Sequence, residues 1–130
     1  MITRRFLVLT ALILYIPLGS PSPNDWTNEK LGRHFFYDRA LSFNQQISCA
    51  DCHQQAFAFS DPRRFSLGAN DDELPRNTLA LINLTDREHL GWADTQNSLA
   101  TQMMRPLFNT MPLEMGWDDH EQAILKRLNE

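Results

Sequence analysis

Cys49 and Cys52 are the only cysteines in the chain, and His53 follows the second directly. Two thiols one helical turn apart, with an imidazole next in line, have one chemistry that uses all three. The thiols add across the two vinyl groups of a single porphyrin, and the histidine is carried under the iron as its axial ligand. Cys49-Ala50-Asp51-Cys52-His53 therefore reads as a covalent haem c site holding one haem. Other uses of the same residues are weaker. A thioredoxin-like pair needs a βαβ context, which the chain lacks. A zinc site needs a second ligand pair, and His34, His89 and His120 are scattered. A disulfide between residues this close would be strained.

The elements that must position this motif follow from the rest of the chain. Residues 1–22 have the form of a secretory signal. Arg4 and Arg5 are followed by an eleven-residue apolar run, Phe6–Ile16, then by small residues and prolines. The run is short against the ~20 residues that span a bilayer, so cleavage is expected to leave no membrane span. Residues 23–130 then form one small domain in the periplasm, where c-type haems are attached. Losing two arginines takes the formal charge from −4 to −6. That acidic balance argues against nucleic acid, which wants a basic stripe.

The pattern predicts a mostly α fold, a cytochrome c-like haem domain with long loops. A first helix spans 24–37, with Thr27 as a start signal and Leu31, Phe35 and Phe36 on one face. Ser48–His53 is a short helical turn, and Ala56–Phe59 lies against the porphyrin edge. Ser60–Pro75 is a loop rich in Ser, Asp, Asn, Gly and Pro. Leu79–Leu84 is a strand or a buried turn. A helix over Leu99–Met104 stops before Pro106, and another spans Asp119–Leu128, with Asp118 and Glu121 at capping-box spacing.

These segments together resemble a family. Leu31-Gly32-Arg33-His34-Phe35-Phe36-Tyr37-Asp38-Arg39-Ala40-Leu41-Ser42, the haem motif, and Ala56-Phe57-Ala58-Phe59-Ser60-Asp61 come in order. Ser66-Leu67-Gly68, Arg76-Asn77-Thr78, Trp92, Gln102, Pro106-Leu107-Phe108-Asn109 and Glu114-Met115-Gly116 follow. The set is similar to the amino-terminal haem domain of the bacterial di-haem cytochrome c peroxidases and MauG-type enzymes.

The resemblance implies a haem that reacts with hydrogen peroxide, with His53 proximal. Glu114 would move a proton on the distal side, Gln102 would line the same pocket, and Trp92 would pass electrons between haems. Asn77 would help bind a calcium ion at the interface with a second haem domain or subunit. Electrons would come from a periplasmic donor or a protein substrate.

Three departures from the family pattern stand out. Asp61–Leu74 holds no distal histidine, which favours an open iron. Trp92-Ala93-Asp94-Thr95 replaces the usual Trp-Asp-Gly-Arg, and two extra residues precede Glu114. Both features are closer to the MauG-like branch associated with methanobactin. A second haem motif is missing, which points to the amino-terminal half of a two-domain enzyme, truncated or split. The competing reading is a mono-haem electron-transfer cytochrome without catalysis. Met103, Met104, Met111 or Met115 would then fill the sixth position.

Overall fold

Thr27 opens the first helix as its start signal suggests. Its hydroxyl accepts from Lys30 N at 3.3 Å, and α1 runs Asn28–Tyr37. A computed structural model describes residues 26–92 and 98–130 of the chain. The signal-like segment 1–22 and Ala93-Asp94-Thr95 lie outside the described residues. Trp26 and Thr27 precede the helix, so it begins later than the periodicity suggested.

Asp38 ends α1 and starts a 3-10 turn at Arg39–Leu41, its carboxylate accepting from Ala40 N at 2.8 Å. The haem-motif helix α2 (Cys49–Cys52) comes next, then a 3-10 turn at Gln55–Phe57. A long irregular stretch leads to α3 (Leu99–Phe108) and α4 (Glu121–Leu128). Among the described residues there are isolated β-bridges and no strand, so the fold is mostly α. None of the described helices is long and apolar enough to cross a membrane.

The core lies where α4 meets the turn after α1. Leu41, Met115, Trp117 and Ile124 are buried together, with Phe35, Phe43, Ile47, Leu107, Phe108 and Leu128 packed around them. Polar ties fix the same junction. The Trp117 indole donates to Leu41 O at 2.7 Å, and the Arg127 guanidinium donates to Ala40 O (2.9 Å) and Ser42 O (3.0 Å). A guanidinium with several donors suits a turn of clustered carbonyls.

Three expectations need correction. α3 runs through Pro106 to Phe108 rather than stopping before the proline. The proline removes one helical hydrogen bond. The turn beyond it is held from outside: Met115 N donates to Pro106 O (2.9 Å) and Trp117 N to Leu107 O (2.8 Å). α4 starts at Glu121, and His120 caps it without a side-chain hydrogen bond, so no Asp118–Glu121 capping box forms. Asp119 takes a left-handed φ of 62°, which turns the chain away just before the helix. Leu79–Leu84 is irregular, half-buried at its start and exposed over 81–83.

The 60–75 loop is a loop, but a built one. Asp61, Ser66, Gly68 and Ala69 are buried within it. Leu74 N donates to Ser66 O and Gly68 N to Asp72 O, at 2.8 and 2.9 Å. Ala69 N donates to Glu114 O at 2.8 Å and ties this loop to the segment after α3.

Candidate haem c site

The motif helix is braced by its neighbours in sequence. The Asp51 carboxylate reaches back to accept from Ser48 N and Ser48 Oγ, both at 2.8 Å. Its other oxygen pairs with Arg39 at 2.8 Å, linking the helix to the turn after α1. One helical turn then sets Cys49 and Cys52 on one side, both free thiols and half-buried.

His53 stands at the end of this turn, its N–H donating to Cys49 O at 2.8 Å. Its ring Nδ1 lies 2.9 Å from Phe59 O. A proton on Nδ1 donated to that carbonyl leaves the lone pair on Nε2, the nitrogen that would bind iron. Phe36 of α1 packs near the ring, with centroids 6.4 Å apart, and edge-on to Phe59 at 5.9 Å. Burial pushes the imidazole below its ordinary range, against backbone contacts with Phe59 and Leu79.

Burial also raises both thiols. Cys52 is pushed up to about 11, with the charge of Asp61 adding to the effect, and its Sγ contacts Leu67 O at 3.6 Å. Beside it, buried Asp61 forms a fork with Arg63 at 2.6–3.1 Å. Burial alone would raise the Asp61 carboxyl, but the Arg63 hydrogen bonds outweigh it and hold the carboxyl low.

Glu114 is partly buried, and burial raises its carboxyl pKa above the ordinary 4.5. The Asn109 amide, donating at 3.3 Å, offsets this only in part. The charge of Glu114 also reaches Cys52 and raises that thiol, so the carboxylate stands within electrostatic range of the attachment site. Gln102 projects from α3 with its Oε1 buried and without a hydrogen-bond partner. Such an orphaned acceptor calls for an explanation, and a donor bound beside it would supply one.

Trp92 and Asn77 belong to a neighbouring cluster. The Trp92 indole donates to Asn77 O at 2.9 Å, and the residue is 56% exposed. The Asn77 amide donates to Asp61 O (2.9 Å) and to Arg63 O, while its Oδ1 accepts from Ser60 Oγ at 3.1 Å. Among the described residues no three His, Cys, Asp or Glu side chains gather as a metal cage. Calcium takes about six to eight oxygen ligands, so Asn77 does not make a calcium site by itself. Of the methionines, Met115 is in the core, while Met103, Met104 and Met111 are exposed.

Ala56, Phe57 and Ala58 are exposed, and only Phe59 of that apolar segment is half-buried. Sequence reasoning valued Phe59 for its ring and missed its carbonyl, the partner of His53. It also missed the Asp61–Arg63 fork, which the Asp-Pro-Arg spacing hinted at through a local Asx turn.

Free thiols one turn apart and an imidazole with one nitrogen tied to a carbonyl fit haem c. Comparison with known proteins agrees. The family model of the di-haem cytochrome c peroxidases matches residues 27–130. MauG, the methylamine utilization protein of Methylorubrum extorquens, is 35% identical over 98 residues, covering 74% of this chain and 27% of that protein. MauG of Paracoccus denitrificans is 32% identical, covering 97% of this chain and 38% of that protein. The crystal structure of a MauG-like protein associated with microbial copper homeostasis superposes with a TM-score of 0.75 at 35% identity. That match covers 92% of this chain and 37% of that one. The chain thus spans roughly a quarter to two fifths of the length of these relatives. With the attachment motif, the helical fold and the match over 27–130 in agreement, the chain belongs to the di-haem cytochrome c peroxidase family.

Proposed function

We propose that this chain is the peroxide-reacting haem domain of a di-haem peroxidase-type oxidoreductase. The observation that carries the reading is Glu114, a half-buried carboxyl whose pKa burial has raised, within electrostatic range of Cys52. When bound through Cys49, Cys52 and His53, haem c supplies the iron at which the O–O bond of hydrogen peroxide is cleaved.

The chain's own residues do the rest. Glu114 accepts a proton from one peroxide oxygen and returns it to the other, so that water leaves. The buried Gln102 Oε1 accepts a hydrogen bond from the bound peroxide and orients it. His53, with Nδ1 held by Phe59 O, would offer its Nε2 lone pair to the iron. Trp92, exposed at the surface, offers the route by which electrons arrive from a donor, a protein substrate or a second haem.

Asn77 would give one oxygen to a calcium ion whose other ligands come from a second domain or subunit. Residues 1–22 would direct the chain to the periplasm, where haem is attached and the signal removed.

The test is the absorption spectrum of the haem-loaded protein, before and after one equivalent of hydrogen peroxide. A high-spin ferric spectrum that changes rapidly on mixing supports the reading. A low-spin spectrum with a methionine–iron charge-transfer band, unmoved by peroxide, makes the chain an electron carrier and sinks it.

A further inference from the structure

The turn after the haem motif holds two consecutive non-glycine residues in the left-handed region. Ala58 has φ 55° and Phe59 φ 57°. Left-handed backbone is unfavourable for an L-residue, and a bulky residue there is a true outlier. Such strain persists only where the surroundings over-determine it. The unusual geometry has a visible product: the Phe59 carbonyl lies 2.9 Å from His53 Nδ1.

Two sets of bonds hold the turn. Within it, Gln54 O accepts from Phe57 N and Phe59 N (3.0 and 2.9 Å), and Gln54 N donates to Ser60 O at 3.1 Å. From outside, Ser60 Oγ reaches Thr78 O at 2.6 Å and Asn77 Oδ1 at 3.1 Å. Thr78 is itself braced, its hydroxyl 2.5 Å from that of fully buried Ser66. Ser60 is thus a strut between the strained turn and the 66–78 loop, one residue from the carbonyl that faces the axial histidine.

We propose that Ser60 is a positioning residue for the haem: by anchoring the left-handed Ala58–Phe59 turn to Thr78, it holds the Phe59 carbonyl on His53 Nδ1 and so sets the electron-donating strength of the axial imidazole. A strong Nδ1–H···O bond gives the ring more anionic character, which stabilises the ferric over the ferrous state. Loosening the strut lets the carbonyl drift, weakens that bond and raises the reduction potential. The inference rests on the haem reading of the motif but not on reaction with peroxide.

The experiment is a redox titration of the haem-loaded protein, with the ferrous iron–imidazole stretching frequency from resonance Raman as a second readout. Ser60→Ala keeps the backbone bonds of the turn and removes only the hydroxyl. Its ferrous-to-ferric ratio at a fixed ambient potential should rise about tenfold, which is about 59 mV for one electron. The stretching frequency should fall with it. Ser60→Thr, which restores a hydroxyl, should return both readouts to wild type. Ser66→Ala loosens the same strut one step further away and should shift both in the same direction by less. It carries the test if Ser60→Ala loads too little haem. Wild-type potential and frequency in loaded Ser60→Ala, or equal shifts in the alanine and threonine variants, would overturn the proposal. A haem that does not react with peroxide still gives the redox titration, so that result would count only against the peroxidase reading.

Discussion

Glu114 shows how much can depend on one side chain's surroundings. Its carboxyl is half-buried, a single amide supports it, and burial raises its pKa. Glu114→Gln keeps the shape and the amide contact but cannot shuttle a proton. It should load haem normally, while the stopped-flow rate with hydrogen peroxide falls about 10²–10⁴-fold. An unchanged rate would remove Glu114 from the mechanism. The same carboxyl makes a pH prediction. Because its pKa is raised on folding, its favourable contribution is complete below the ordinary 4.5 and is lost as pH rises through the folded value. In urea titrations Glu114→Gln should therefore gain stability over wild type at pH 7 and lose that advantage near pH 4.

At the scale of elements, the segment after α3 is set by what lies beneath it. A Cβ built on Gly68 would stand 2.0 Å from Leu113 O, so only glycine lets the 66–69 loop close against Leu113 and Glu114. Gly68→Ala should lower stability by about 1–3 kcal/mol. It should also slow the peroxide reaction, because the displaced backbone carries Glu114. A thermal melt beside the stopped-flow trace checks both, and a full-rate, wild-type-stable variant would contradict this packing account.

This is also the scale at which the sequence was most and least legible. Thr27, the Cys-Cys-His spacing and the turn-rich 60–75 stretch are local signals, and the chain obeys them. Pro106 is a local signal that the chain overrides, since the partners of the last α3 carbonyls arrive from Met115 and Trp117. The Asp118–Glu121 spacing fails for a similar reason, because left-handed Asp119 has already redirected the backbone. At the site, the two thiols on one helical turn and the imidazole beside them could be read from type and spacing alone. The role of Phe59 could not, because a carbonyl belongs to every residue and nothing about phenylalanine announces a positive φ.

The molecule as a whole is held by the α4 junction, and the Arg39–Asp51 pair ties the haem motif to the same turn after α1. Ile124 is fully buried between Leu41, Met115 and Trp117. Ile124→Ala should cost about 2–5 kcal/mol in urea unfolding while the haem spectrum of the folded protein stays as it was. A spectrum that moved in step with the stability loss would show that the junction and the haem motif are not separable. The thiols, in contrast, answer to the fold itself. With Cys52 raised from 9.0 to about 11, two pH units separate it from an ordinary thiol. Alkylation of the folded, haem-free chain at pH 7 should then be about a hundredfold slower at Cys52 than in urea. Thioether chemistry wants a reactive thiol, and burial in the fold raises both thiols and disfavours their ionised form. The order of manufacture is what such a rate difference bears on: attachment is faster while the chain is open than after it has closed over Cys52.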